Sequence, residues 1–356
     1  MRRVIISFFL LAWVLPAFPC TSVIISSRHN ARPVMLKHRD TDELNNRIER
    51  FEGEKFAFIG LVNSPSGGGE VWAGMNSAGF CIMNTATYDL KDDDVPADLM
   101  DREGVVMYRA LGICSCTADF EHMLDTLSRP MGVEANFGVI DAHGGAAYYE
   151  VNNHSWVKFD VCDPSVAPSG YMVVTNFTRT GRLEDRKGVD RFEKASDIME
   201  KLVGEGEKAV GHEELLSCVS RSGRPIMRDI TSASIVFEGV VEGSDAEKSV
   251  MWTVLGWPGA SVAVPLLVGK EDYIPSYLKA ESGMNAEFCD NALSLKWKEI
   301  GSAVQDTENF INSRFSRMYG RWCKGKIGDR RFISKYKRLQ EKIYKHYHRN
   351  FDNYLG

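Results

Sequence analysis

Cys20-Thr21-Ser22-Val23-Ile24-Ile25-Ser26 leads through His29-Asn30-Ala31-Arg32 into Pro33-Val34-Met35-Leu36-Lys37-His38, and then Arg39-Asp40-Thr41-Asp42. Two β-rich runs separated by turn residues predict a hairpin. Hairpin-joined strands pair antiparallel, without the crossover helix that parallel strands need. The rest of the chain repeats this grammar. Strands are expected at 56–62, 70–75 and 79–83, the last two around Asn76-Ser77-Ala78-Gly79. The apolar period then lengthens to that of a helix pair over 105–113 and 118–127. Strands return at 136–141, 146–151, 155–159 and 171–175, helices at 189–202 and 212–219, and strands at 232–241, 249–255 and 261–267. Strand runs alternating with helix pairs predict an α+β fold of antiparallel sheets layered with helices.

Upstream of Cys20 the chain has a different character. Arg2-Arg3 precede a nearly unbroken apolar run from Val4 to Leu15, followed by Pro16-Ala17-Phe18-Pro19. That is the layout of a secretory signal, too short for a good membrane span. Residues 1–19 are therefore expected to be a signal peptide or propeptide, 20–275 a catalytic domain, and 276–356 a helical C-terminal extension. The expected destination is periplasmic or extracellular.

In the extension, 284–311 reads as helical. Between Arg314 and Arg349 stand 13 Lys/Arg and two acids, Asp329 and Glu341, interleaved with aromatics. This pattern fits a basic helix packed on an acidic body, with a weak contact to an anionic surface as the functional counterpart.

The 356-residue chain is 44% hydrophobic and 26% charged, which excludes a disordered chain, a collagen-like repeat and a polytopic membrane protein. Its formal charge of -5 gives no sign of a nucleic-acid partner. The eight cysteines show no disulfide-framework or zinc spacing. No cofactor or metal is implied. There is no convincing G-x-S-x-G elbow, no H-E-x-x-H, and no phosphate loop around Gly67-Gly68-Gly69 or Gly144-Gly145.

The chemistry begins at Cys20. If cleavage occurs just before it, one residue carries a thiol and a free α-amine. The amine has a reference pKa of roughly 7.7–8.0 and the thiol roughly 8.5, so the amine can serve as base to its own side chain. Lipidation of the thiol competes with this reading, since it would consume nucleophile and base alike. Ala17-Phe18-Pro19 is a poor lipobox, which makes a bacterial lipoprotein the lesser reading.

Cys20-Thr21 opening a strand, with Arg39-x-x-Asp42 ending the next, resembles the N-terminal-nucleophile hydrolases of linear amides: the choloylglycine hydrolase, penicillin V acylase and isopenicillin-N acyltransferase group. Further landmarks follow in order: Gly74-Met75-Asn76-Ser77-Ala78-Gly79-Phe80 leading to Asn84, then Val174-Thr175-Asn176-Phe177, then Asp190-Arg191-Phe192. The resemblance spans residues 20–192, weakens over 232–267 and is absent beyond 276.

It implies a four-layer αββα sandwich, two antiparallel sheets flanked by helix pairs. It also implies roles. Cys20 is the nucleophile, Arg39 the cation beside it, and Asp42 the carboxylate holding the α-amine, ahead of the adjacent Asp40. Asn84 is an oxyanion donor, Asn176 a donor to the substrate carbonyl, and Arg191 a partner of Asp42 or of a substrate carboxylate. The implied activity is hydrolysis of a small-molecule linear amide through an acyl-thioester. The alternatives are acyl transfer from the same intermediate, or a non-catalytic binding protein. A papain-like pairing of Cys20 with His38 is a weaker possibility. Phe51, Phe56, Met83, Tyr88 and the 64–69 loop are candidates for lining an acyl pocket.

Overall fold

The computed structural model describes residues 19–66, 68–90, 95–204, 209–281 and 283–356. The predicted signal segment, except Pro19, lies outside the described residues. Six strands come first: β1 Cys20–Ile25, β2 Val34–Asp40, β3 Asn46–Glu52, β4 Ala57–Asn63, β5 Ala73–Asn76 and β6 Cys81–Ala86. The helix pair α1 Glu103–Ile113 and α2 Thr117–Thr126 precedes β7 Ala135–Ile140, β8 Ala146–Val151, β9 Trp156–Asp160 and β10 Tyr171–Val174. Next are α3 Val189–Gly204 and α4 His212–Glu214, the latter running into a π-turn over Leu215–Ser220. Strands β11 Thr231–Glu238, β12 Val250–Leu255 and β13 Val264–Leu266 precede α5 Glu287–Ser294, α6 Gly301–Cys323 and α7 Asp329–Leu355.

The strands form two antiparallel sheets, ordered β10-β1-β2-β11-β12-β13 and β3-β4-β5-β6-β7-β8-β9. Their facing sides share apolar residues that include Ile24, Met35, Met83 and Tyr148. The outer face of the seven-stranded sheet buries Phe58, Ile82, Phe137 and Tyr149 against Met107, Leu111 and Phe120 of α1 and α2. The six-stranded sheet is covered by α3, α4, α5 and the two C-terminal helices, whose Ile311, Phe315, Tyr336 and Tyr347 join the larger cluster. This is the four-layer arrangement expected of the chain.

The elements depart from expectation at three places. Strand β3 was not foreseen, because Arg47, Glu49, Arg50 and Glu52 mask its two apolar residues, Ile48 and Phe51. The 284–311 stretch is not one helix. It breaks between α5 and α6, where Trp297 takes a positive φ of 68°. The 212–219 helix keeps a single α-turn before the π-turn.

The Gly74–Phe80 motif is an anchor for α1. Asn76 Oδ1 accepts from the N–H groups of Ala78 and Phe80, both at 3.0 Å. Its Nδ2 donates to the carbonyls of Leu111 (2.9 Å) and Cys114 (2.7 Å). One side chain thus shapes the hairpin turn and satisfies carbonyls that the end of α1 leaves open.

All eight cysteines are unpaired. Among the described residues, no helix is long and apolar enough to cross a membrane.

Candidate active site

Register sets the geometry. In the β1–β2 ladder Cys20 lies opposite Arg39, and Ser22 opposite Lys37. Side chains alternate across a strand and cross-strand partners share a face, so these four belong to one face. That face looks into the sandwich, where the Ser22 hydroxyl meets the Tyr148 hydroxyl of the other sheet at 2.7 Å. Thr21, His38 and Asp40 belong to the opposite face, toward α3.

Cys20 is held at both ends of its backbone. Its nitrogen donates to Asn176 Oδ1 at 2.7 Å, and Arg191 donates to its carbonyl oxygen. Arg191 also reaches Asn176 Oδ1 (2.7 Å) and Thr21 Oγ1 (3.3 Å). The Asn176 Nδ2 in turn donates to the Ala86 carbonyl at 2.6 Å, tying β1 to the end of β6. Asn176 is wholly buried, so its Asn-Phe-Thr sequence is no accessible glycosylation site. Gly188 makes room for Arg191: its φ is +78°, and a Cβ there would stand 2.1 Å from the guanidinium. Phe192 packs on Phe177, with ring centroids 5.2 Å apart, and fixes the start of α3 beside Asn176.

Arg39 is buried, donating to Asn63 Oδ1 (2.9 Å) and Ser232 Oγ (3.4 Å), with its guanidinium 5.2 Å from the Trp72 ring centroid. Burial pulls it down to about 10, against the Coulombic support of Cys20. Asn84 accepts from Lys37 Nζ at 2.7 Å, and the same Nζ donates to the Trp72 carbonyl at 2.5 Å. Lys37 is 1% exposed, and burial pulls it down to about 7, again opposed by Cys20. With the Asn84 oxygen taken, its Nδ2 is the polar end left over, and among the described residues nothing bonds it.

The structure therefore gathers Cys20, Arg39, Asn84, Asn176 and Arg191, and adds Lys37, which the sequence reading passed over. A charged residue two positions before Arg39, on the same strand face, was the available signal. Asp42 does not join them. It is exposed, and among the described residues its one side-chain hydrogen bond is accepted from Thr41 Oγ1 at 3.4 Å.

Asp40 comes closer than Asp42, but through its backbone, with its side chain on the opposite face. Its backbone carbonyl lies 3.9 Å from the Cys20 sulfur, and its buried carboxyl accepts from Thr231 Oγ1 at 2.5 Å. Burial pushes that carboxyl up to about 7, opposed by Thr231 and then Arg191. The chain turns out of the sheet after Asp40, which carries Asp42 away. His38 is not paired with Cys20. It lies on the opposite face, bonded to Ser234 Oγ (3.0 Å) and the Ile226 carbonyl (3.2 Å), and burial lowers it to about 3. Phe51 packs outward on Phe58 and Tyr108, so it cannot line a pocket at Cys20.

No protein-family profile and no curated sequence matches the chain. Solved structures do. The chain is similar to an N-acylethanolamine-hydrolyzing acid amidase ortholog from Caenorhabditis elegans, at 14% identity and a TM-score of 0.48, over 63% of this chain and 93% of that one. It is similar to a mutant of conjugated bile acid hydrolase from Clostridium perfringens, at 11% identity and TM-score 0.48, over 71% and 93% of the two chains. Penicillin V acylase from Agrobacterium tumefaciens aligns at 12% identity and TM-score 0.43, over 69% and 86%. These proteins belong to the N-terminal-nucleophile group that the Cys20 and Arg39 motifs resemble.

Proposed function

We propose that the chain is an exported amidohydrolase that cleaves a small linear amide through Cys20, once Cys20 has become the first residue. The observation that carries this reading is the grip on that residue. Its nitrogen is held by Asn176 and its carbonyl by Arg191, while Arg39 and Lys37 share its strand face and Lys37 holds Asn84 of the facing sheet. A residue that merely opened a strand would need none of these buried side chains.

In the proposed reaction the α-amine takes the thiol proton, and Asn176 Oδ1 holds the amine in place by accepting from it. The sulfur attacks the amide carbonyl. The Asn84 Nδ2 donates to the developing oxyanion, its carbonyl end fixed by Lys37. Arg39 and Lys37 balance the negative charge of sulfur and oxyanion in surroundings that exclude water. The leaving amine takes the proton from the α-ammonium, a thioester remains on Cys20, and water hydrolyses it to restore the thiol. Burial of Cys20, 6% exposed, argues against a diacylglyceryl group on its sulfur.

Intact mass and N-terminal sequence of the exported protein test the reading, followed by turnover of a panel of N-acyl amides. The expected result is an unmodified chain beginning at Cys20, with turnover at least about a thousandfold lower in Cys20→Ala. A lipid adduct on Cys20, or undiminished turnover in Cys20→Ala, overturns it.

A further inference from the structure

The C-terminal helices form a hairpin joined by residues 324–328. A groove of about 320 Å³ runs between them. Six of its lining residues are cations: Arg314, Arg317 and Arg321 from α6, and Lys335, Arg338 and Lys342 from α7. No carboxylate lines it. Each helix contributes its three at the spacing i, i+3, i+7, which places them on one helical face. The register between the helices is set by Phe310 stacked on His346, centroids 4.1 Å apart, and by Asn350 Nδ2 donating to Thr307 Oγ1 at 3.0 Å; it brings Arg321 level with Lys335, Arg317 with Arg338 and Arg314 with Lys342. The six therefore form three rungs of facing cations.

These side chains are exposed, and none of them makes an ion pair or side-chain hydrogen bond with a described residue; Arg314 only stacks on Phe310. Some neighbouring charges are matched, as in Arg221 with Glu308 at 2.7 Å, Lys337 with Glu271 at 3.4 Å, and His348 with Glu287 at 2.8 Å; the six of the groove are not. His346, behind it, is held below its usual value by burial first and then by Arg349 and Arg314.

We propose that this groove binds a compact anion carrying several phosphate-type groups. A stripe of i to i+7 spans about 10 Å at the helical rise, and packed helices lie roughly 8–10 Å apart. The ligand is thus about 10 Å across, met by cations on two walls. Four of the six are arginines, whose planar forks pair with phosphate oxygens two at a time. Clustered like charges repel when closer than a Debye length of about 10 Å, and a polyanion relieves that repulsion. The concave shape favours a discrete anion over a flat bilayer surface. Leu339 and Ile327, at the groove's apolar base, are already buried in the core, so they offer no slot for an acyl chain.

The test is titration calorimetry of the full chain with sodium tripolyphosphate, repeated with vesicles of cardiolipin in phosphatidylcholine. The expected result is saturable tripolyphosphate binding that weakens at least about tenfold as salt rises from about 0.05 to 0.3 M. Arg317→Ser with Arg338→Ser should weaken it at least tenfold and leave amide turnover and the circular dichroism spectrum unchanged. Arg330→Ser with Lys345→Ser removes equal charge outside the groove and should weaken it less than about twofold. Equal losses in the two double variants mean diffuse charge attraction and overturn the site. So does the absence of tripolyphosphate binding, with or without vesicle binding; binding to vesicles alone would assign the face to a membrane.

Discussion

Lys37 is a buried ammonium that a strand interior would ordinarily reject, because taking a charge out of water is costly unless it is paired. It is retained here by two acceptors, the Trp72 carbonyl and Asn84 Oδ1. That pairing orients the Asn84 amide and, in the proposed reaction, gives Lys37 a positioning role. Lys37→Met should lower kcat by about a hundredfold, the scale of losing an oxyanion donor, with KM changed little. Steady-state kinetics on the best amide substrate would check this. A purely structural lysine would instead lower the Tm and leave kcat intact in the folded fraction. Arg191 obeys a similar logic. Gly188→Ala places a methyl group against its guanidinium, and should cost activity by displacing the clamp on Cys20.

Strand β2 serves both sides of its sheet. Lys37 and Arg39 share the face of Cys20, while His38 and Asp40 look toward α3. Two buried carboxyls, one on this back face and one on α1 against the other sheet, carry a pH dependence. Burial pushes Asp40 up to about 7, and Glu103, at the start of α1, up to about 7 as well. A carboxyl whose folded value lies above its unfolded value binds its proton more tightly when folded. This contribution to stability is full below about pH 4 and is lost as pH rises toward 7. Asp40→Asn should therefore flatten the fall in Tm between pH 4 and 7, leaving the part due to Glu103. Thermal melts of the two proteins across that range decide it. On the other sheet, Asn76→Ala removes two donors and an acceptor that bind the β5–β6 turn to α1. Denaturant unfolding should show a loss of at least about 2 kcal/mol, since buried backbone groups are left unpaired.

At the scale of the molecule, the C-terminal helices act as a cover. Phe315 meets Trp252 of β12 with ring centroids 5.3 Å apart, and the Tyr336 hydroxyl donates to the Pro265 carbonyl at 2.9 Å. His212 of α4 joins them, stacked on Trp252 at 3.5 Å and bonded to Asn312 of α6 at 3.2 Å. The full chain should unfold in one cooperative transition, coincident by fluorescence and circular dichroism. A chain ending at residue 275 would uncover the apolar side of the six-stranded sheet and should aggregate.

Local pattern alone determined much of this protein. The Cys20–Asp42 hairpin, the alternation of strand runs with helix pairs, and the basic stretch after Arg314 are all properties of neighbouring residues. They were legible because strand, helix and turn preferences act over a few positions. Cys20, Arg39, Asn84, Asn176 and Arg191 were read as an ordered set because the short motifs that hold them resemble those of the linear-amide hydrolases. Tertiary structure decided which of them meet. It put His38 and the Asp40 carboxyl behind the sheet because side chains alternate, and it carried Asp42 out to solvent because the strand ends before it. It brought in Lys37, whose reason for being buried is an asparagine 47 residues away. It also set the two arginine- and lysine-bearing stripes face to face. Such pairings depend on register and on sheet-to-sheet packing, which join residues far apart in the chain and leave little trace in either segment alone.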